Sequence, residues 1–325
     1  MQSTRLHIRK TYPRFLFTVS FLLITYCILT HSRLSLQYAF TGLELWYNNM
    51  IPTLLPFMIL SGTLIRMGLT EGFVTIVYPL INPLFHVSRN ACYVITMGFL
   101  CGFPMGAKCV NDMYVHGKIS HREAEWLLSF CNNIGPVYFV SFALPLIGHP
   151  KMLPCVLGMY GLPLLYGLAL RYTLFRDLGN AGSAYSDNQA LSSSQSTGQE
   201  PPEFFHSLDA AISSSLQSIL MLGGYMVLFN LLMLIPHLLL GQVPRYISPL
   251  LEITGGLKQL GDTLPLYSLI LLPFGGLSCI AQTYSCIKDT DLSVVDYTIH
   301  KIILTLLNLL FYLGWFLLAP ASFLR

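Results

Sequence analysis

The sequence predicts an all-α polytopic membrane protein in which some helices are broken, and three observations support this fold class. Of the 325 residues, 54% are hydrophobic and only 10% are charged, whereas soluble domains carry about 25% charged residues. Several stretches without charged residues reach the roughly 20 residues that a helix needs to cross a bilayer. Other stretches are short or contain Gly and Pro, which favours broken helices or re-entrant hairpins. The charge-free stretches are residues 15–30, 45–65, 72–88, 90–107, 127–150, 152–170, 210–236, 263–287 and 302–319.

A basic N-terminus precedes the first of these stretches. Arg5, Arg9, Lys10 and Arg14 lie just before residues 15–30, and the positive-inside rule therefore places the N-terminus in the cytoplasm. Such a start is also typical of a secretory signal peptide. Because no small-x-small cleavage pattern follows closely, we interpret it as a retained helix.

The charge balance, the cysteines and the motif content argue against several function classes. A formal net charge of +3 is ordinary for a membrane protein and does not indicate a nucleic-acid partner. The eight cysteines form no Cys-x-x-Cys pair and mostly lie in apolar stretches, which is typical of buried free thiols. A soft-metal pathway through Cys101, Cys109, Cys279 and Cys286 is a weaker alternative, so we expect neither a metal nor a cofactor. No hydrolase, metalloprotease or phosphate-loop motif is present, and we expect no enzyme activity.

Residues 177–207 predict a flexible extramembrane linker that divides the chain. The sequence from 177 to 202 is rich in Ser, Gly, Gln, Asn and Pro and has almost nothing to bury. We therefore expect an N-terminal helix and a first repeat in residues 1–176, and a second repeat in residues 208–325.

The two halves share three features in the same order, which predicts an internal duplication. Each half has a long apolar helix with a pair of small residues, then a Gly-rich break, then a helix start with a capping-box pattern. These features are Ser61-Gly62, residues 101–108 and Ser120 with Glu123 in the first half, and Gly223-Gly224, Gly275-Gly276 and Ser293 with Asp296 in the second. Broken segments at corresponding places in two halves are a pointer to a transporter binding site.

The first break places a lysine directly after a glycine-rich segment. Gly102, Pro104 and Gly106 interrupt an apolar stretch, and Lys108 follows. Non-helical backbone persists at membrane depth only where it is buried in protein or lines a watery cavity. Free N–H groups at the new helix start, its dipole and Lys108 would together form a cradle for a carboxylate or phosphate. In the alternative interpretation the glycines allow close helix packing and Lys108 extends to the membrane interface.

Neutral polar residues at two further places are candidates for the other side of such a site. Gly275 and Gly276, with Gln282, offer hydrogen-bonding groups without charge, although Gln282 could instead bond to a neighbouring helix. Asn132 and Asn133 lie beside a Gly-Pro pair inside an apolar stretch. Buried asparagines need partners, so they are expected either to line the site or to hold helices together.

Two acidic residues complete the candidate set. Glu252 lies among apolar residues just before a Gly-Gly pair, and a partly buried glutamate is suited to proton carriage. The alternative places Glu252 in the headgroup region, because Lys258 and Asp262 are close in sequence. Asp112 follows Lys108 by four residues and is expected to pair with it on one helix face.

Five short motifs carry a resemblance to a known family. They are residues 48–57 (NNMIPTLLPF), 102–108 (GFPMGAK), 119–136 (an I-S-x-x-E-A start ending in C-N-N-x-G-P), 250–256 (LLEITGG) and 274–282 (FGGL with a final Gln). In this order they resemble the YlbJ-like sporulation integral membrane proteins. That resemblance implies two nucleoside-recognition, or Gate, domains, which also occur in concentrative nucleoside transporters and ferrous iron transporters.

The resemblance also implies a function. Such proteins act in the mother-cell-derived outer forespore membrane and are implicated in passing dipicolinic acid, a small aromatic dianion, toward the forespore. Lys108 and the amides near Gly102 would then bind carboxylate, and Asn132, Asn133 and Gln282 would orient the ring. One departure is that residues 101–104 read Cys-Gly-Phe-Pro where the family often has Ser-Gly-Tyr-Pro. The alternatives are a Gate-domain transporter of another solute, such as a nucleoside or organic anion, and a non-transporting membrane scaffold for a spore-coat or cortex complex.

Overall fold

The computed structural model describes residues 18, 21–67, 69–148, 151–178, 204–242 and 245–318. All regular secondary structure in these residues is helical, which confirms the predicted all-α class. Five helical segments are long and apolar enough to cross a membrane, in agreement with a polytopic membrane protein. These segments are Ser32–Arg66, Met152–Tyr172, Phe204–Leu240, Pro265–Ile287 and Val294–Leu318.

Parts of two predicted segments lie outside the described residues. Residues 1–17 include the basic N-terminus. Of the predicted first helix, the structure describes residue 18 and α1 (Phe21–Thr30). Residues 179–203 hold most of the predicted linker. The chain is helical again from Phe204, so residues 204–207, which we assigned to the linker, begin the next helix instead. This helix packs against the first half near its start, where Ala211 contacts Gly62.

Two long helices pack against each other along most of their length. The first is α2 (Ser32–Arg66), which includes a π-helical turn at Trp46–Met50, and it is followed by α3 (Thr70–Phe85). Its partner is α9 (Phe204–Leu240) from the second half. Contacts near both ends and in the middle show that the two helices run antiparallel. The contacting pairs are Gly62 with Ala211, Trp46 with Ile219, and Tyr38 with His237.

The first re-entrant hairpin consists of α4 (Arg89–Cys101) and α5 (Met105–Val115). The two helices pack against each other and are joined by residues 102–104, which form the tip. Asn90 at the start of α4 donates a hydrogen bond to the carbonyl oxygen of Lys118, just after α5, at 2.8 Å. Because its two ends lie together, the hairpin returns to the face from which it enters.

A broken helix and a continuous helix follow this hairpin. The broken helix consists of α6 (His121–Phe130), an unwound segment at 131–135 and α7 (Pro136–Leu146), and α8 (Met152–Tyr172) runs back beside it. Arg122 at the start of α6 donates to the carbonyl oxygen of Leu174, just after α8, at 3.1 Å. The predicted cap at the start of α6 is confirmed, because the Ser120 hydroxyl accepts the Glu123 N–H at 3.2 Å.

The second half repeats this order of elements. A hairpin of α10 (Ser248–Leu251) and α11 (Ile253–Leu260) has its tip at Glu252. The broken helix that follows consists of α12 (Pro265–Leu271), an unwound segment at 272–275 and α13 (Gly276–Ile287). The described chain ends in the continuous helix α14 (Val294–Leu318).

The two repeats have opposite orientations. Face A contains the turns at 116–120 and 288–293, which meet where the Tyr114 hydroxyl donates to the Asp291 carboxylate at 2.8 Å. Face B contains the turns at 147–148 and 261–264, which meet where Asp262 lies against Gly148. The first hairpin has both ends at face A and the second has both ends at face B. The order of hairpin, broken helix and continuous helix is therefore inverted between the halves, an arrangement typical of transporters.

This inverted order corrects the correspondence that we drew from the sequence. We matched the break at 102–104 with Gly275-Gly276, because both are rich in glycine. In the structure, the counterpart of 102–104 is the hairpin tip at Glu252, and the counterpart of 272–275 is the unwound segment at 131–135. At a hairpin tip the chain reverses direction, whereas at the unwound segment of a broken helix it continues across the membrane. Glycine-rich composition does not distinguish these two kinds of break.

Candidate solute site

The tips of the two hairpins meet at a small central cavity. Its walls come from both tips, from the unwound segment of α6–α7, from α13 and from the long helices α2 and α9. The residues that matter for its chemistry are Cys101, Phe103, Gly135, Glu252, Cys279 and Gln282. The cavity volume is about 40 Å³, which is room for no more than a few water molecules.

Gly275 and Gly276 lie between the two tips. A Cβ atom on Gly275 would lie 3.0 Å from the Phe103 ring of the first tip, and one on Gly276 would lie 3.0 Å from the carbonyl oxygen of Pro249 in the second hairpin. Both residues have positive φ, at 73° and 79°, a conformation that favours glycine. The unwound segment of the second broken helix thus lets both hairpins approach closely.

The glycines of the first break serve close packing, and its amides are already bonded. A Cβ on Gly102 would lie 2.2 Å from the Gly135 nitrogen, and one on Gly106 would lie 2.4 Å from the Cys131 carbonyl oxygen. The N–H groups of Met105 and Gly106 donate to the Gly102 carbonyl oxygen at 2.7 and 3.3 Å.

The next amide of this segment is occupied as well. The Ala107 N–H donates to Asn132 Oδ1 at 3.2 Å, and the Pro104 carbonyl oxygen accepts the Lys108 N–H at 3.0 Å. The expectation of a free amide cradle is therefore wrong for this state, because the oxygen atoms of the protein itself fill it.

Asn132 and Asn133 are fully buried next to the cavity and do not line it. The Asn132 side chain connects three elements: besides accepting from α5, it donates to the hydroxyls of Thr283 on α13 and Tyr297 on α14, at 2.9 and 3.1 Å. Asn133 donates to the carbonyl oxygen of Phe130 and accepts from Lys301 at 3.0 Å. We expected this pair either to line the site or to hold helices together. The contacts of Asn132 match the second expectation.

Lys301 on α14 is the site residue that sequence reasoning missed. It is fully buried, and its Nζ donates to the Asn132 carbonyl oxygen and to Asn133 Oδ1. The same ammonium lies 4.6 Å from the centre of the Phe103 ring. A signal was present: Lys301 is the lone lysine in an apolar helix of 25 residues, and an ionisable residue within such a helix marks a functional site by default. The charge-free stretch 302–319 begins one residue after Lys301, so a search among the charge-free stretches does not include this lysine.

Lys108 lies apart from the central cavity, in a vestibule open toward face A. Its Nζ donates to the Ser214 hydroxyl at 3.2 Å. The predicted pairing with Asp112 is present at 3.9 Å. The vestibule has a volume of about 440 Å³ between α2, α5 and α9, within the range of about 300–1,000 Å³ typical of small-molecule pockets.

Basic side chains outnumber acidic ones in the lining of the vestibule. Besides Lys108 they are Arg66, Lys118, His116 and His206, and Asp112 is the one carboxylate among the lining residues. Basic groups around a concave surface raise the local concentration of anions. The structure therefore separates the lysine that we predicted from the neutral polar residues that we expected beside it.

Glu252 caps the second hairpin and also lines the central cavity. Its carboxylate accepts the N–H groups of Thr254 and Gly255 at 3.0 and 2.6 Å, and the Asn230 side chain donates to it at 3.3 Å. It is only 2% exposed, so the alternative position among headgroups is wrong; Lys258 pairs instead with Glu44 at 3.3 Å.

Gln282 faces the same cavity and donates to the Ser278 hydroxyl at 3.0 Å. Among the described residues, no group of three or more His, Cys, Asp or Glu side chains is placed to hold a metal ion.

Together, the fold and these two sites define a polytopic membrane protein with inverted hairpins and polar residues enclosed between them. Compared with known proteins, the chain is 27% identical over 322 aligned residues to the sporulation integral membrane protein YlbJ of Bacillus subtilis (strain 168), a match that covers 87% of this chain and 78% of that protein. No family model matches the chain, and no solved structure does. The two Gate domains implied by the sequence resemblance therefore stay a prediction.

Proposed function

We propose that the protein is a membrane transporter of a small carboxylate, with dipicolinate as its solute, and that it is not an enzyme. The observation that carries this proposal is the meeting of two inverted hairpin tips at a small central cavity, between two unwound helix segments. Unwound backbone inside a membrane protein requires protein or a watery cavity around it. Transporters use this arrangement to hold a solute between repeats that move relative to each other.

The charge of the vestibule supports an anionic solute. Its lining contains three lysine or arginine side chains and two histidines but a single carboxylate. A solute that carries two carboxylates at neutral pH would be attracted to this basic surface, whereas a neutral nucleoside would not. In this proposal Lys108 captures the anion at face A, Gln282 contacts it in the central cavity, and Glu252 is the group that would carry a coupled proton.

The biological setting of the proposal comes from the sequence relative. That relative is named as a sporulation protein, and we extend the role in endospore formation to this chain. The outer forespore membrane, with the N-terminus in the cytoplasm, is the location that the resemblance and the positive-inside rule favour.

Uptake by purified protein in liposomes tests the proposal. Vesicles of fixed composition with the protein, and matched empty vesicles, are given radiolabelled dipicolinate, pyridine-2-carboxylate or uridine. We expect saturable dipicolinate uptake well above that of empty vesicles, weaker uptake of the monocarboxylate and none of uridine. Uptake of uridine alone would support the nucleoside alternative. If correctly folded protein transports none of these solutes, the carboxylate proposal is wrong and the scaffold alternative gains support.

A further inference from the structure

We propose that Lys301 is the counter-ion of the transported carboxylate, and that Phe103 covers it in the conformation described here. The inference rests on the proposed function and deepens it, because it names the residue that recognises the anion in the central site. It assigns recognition to a residue on α14, far in sequence from the Lys108 segment.

The first step is the incomplete compensation of the Lys301 charge. Its ammonium is fully buried and donates two hydrogen bonds, both to amide oxygens. One of these oxygens belongs to Asn132, two residues past the end of α6, so the negative end of that helix dipole supplies a partial charge. No carboxylate of the described residues lies within 4.0 Å of this nitrogen. A buried ammonium without a full counter-charge is costly, and a bound carboxylate would supply the missing charge.

The second step is the position of Phe103. Its ring centre lies 4.6 Å from Lys301 Nζ, in the range of a cation–π contact. The same ring lines the central cavity and packs against Gly275. Phe103 therefore lies between the ammonium and the space that a solute would occupy. An aromatic ring offers an ammonium a weak negative face, which a carboxylate would readily replace.

The third step is the way in which the cover would be removed. Phe103 belongs to the three-residue tip of the first hairpin, whereas Lys301 is fixed to the continuous helix α14. A movement of the tip away from Gly275 would withdraw the ring from Lys301 and enlarge the cavity at the same time. Opening of the hairpin and exposure of the counter-ion would then be one event, so the charged site forms only when there is space for the solute.

The test compares charge recognition in matched variants. Lys301→Gln keeps hydrogen-bond donors and removes the charge, Lys301→Arg keeps the charge, and Lys288→Gln removes an exposed lysine at the end of α13 as the control. Each is purified, checked by size-exclusion chromatography and thermal unfolding, and assayed in liposomes for uptake of dipicolinate and of its neutral diamide. We expect Lys301→Gln to raise the KM for dipicolinate at least about 30-fold, with Lys301→Arg in between and Lys288→Gln unchanged.

The outcomes are distinguishable. Folded Lys301→Gln with the KM and the dipicolinate preference of the wild type would overturn the counter-ion role while leaving the proposed function intact. Wild-type protein that transports no carboxylate would instead overturn the proposed function, and this inference with it. If Lys301→Gln does not fold, Phe103→Leu is the variant to test. It retains the Lys301 ammonium and removes the aromatic ring that covers it. A lower KM for dipicolinate with unchanged diamide uptake would support the cover, and an unchanged KM for both would refute it.

Discussion

Gly106→Ala tests whether the first hairpin depends on backbone contact with the unwound segment at 131–135. The new Cβ would lie 2.4 Å from the Cys131 carbonyl oxygen and 2.8 Å from Asn132 Cα, about 1 Å closer than a normal van der Waals contact. Overpacking of this kind costs about 1–3 kcal/mol. Moving the backbone apart would also break the bond from Ala107 N–H to Asn132, for about 1–3 kcal/mol more. Helix propensity returns about 1 kcal/mol, so we expect a net loss of about 1–5 kcal/mol.

The assay is thermal unfolding of the purified protein in detergent, with Gly314→Ala as the control. Gly314 lies within α14, and a Cβ there would meet nothing within 4 Å, so alanine should raise stability by about 0.5–1 kcal/mol. At about 2 °C per kcal/mol for a chain of this size, Gly106→Ala should unfold roughly 2–10 °C below the wild type. If Gly106→Ala unfolds at or above the wild-type temperature, close packing of this hairpin against residues 131–135 does not hold it in place.

Three further variants separate the roles of the polar residues. Lys108→Gln should raise the KM for dipicolinate by less than Lys301→Gln does, because the Lys108 side chain is 16% exposed. The effect should shrink at high salt. An effect of the same size at all salt concentrations would argue against capture by charge in the vestibule. Gln282→Ala removes one neutral hydrogen bond and should cost about 1 kcal/mol in unfolding free energy, so a complete loss of folding would show a larger structural role. Glu252→Gln should lower stability by about 1–3 kcal/mol, because charge-assisted bonds to the hairpin amides are lost; an unchanged unfolding temperature would contradict the capping role.

Hydropathy and local capping rules predict much of this fold because the bilayer and the helix ends impose them locally. A helix that crosses a membrane must be apolar over about 20 residues, and this rule found the segments around α2, α8, α9, α13 and α14. The Ser120 and Ser293 caps depend on contacts only three residues away, at 3.2 and 3.1 Å. Both Gly-rich breaks were also visible, because glycine and proline interrupt helices whatever surrounds them.

The candidate site was harder to predict because its residues meet through the topology. Lys301 is 169 residues from Asn132, whose carbonyl oxygen accepts its hydrogen bond. Only the inverted arrangement of the repeats brings them together. The expectation of free N–H groups near Gly102 was wrong for a related reason. Asn132 reaches them from a separate element, and a reading of the segment by itself contains no sign of this partner.

Under the proposed function we infer that the first hairpin moves, because its helix α5 connects the vestibule with the central cavity. In the second hairpin, Glu252 accepts two hydrogen bonds from amides of the same hairpin and one from Asn230 on α9. In the first hairpin, α5 carries Lys108 into the vestibule, while the residue two positions before α5, Phe103, faces the central cavity. A single displacement of this short helix would therefore alter the basic vestibule at face A and uncover Lys301. Capture of an anion and opening of its site would be linked through one rigid element, which explains why two lysines so distant in sequence serve one solute path.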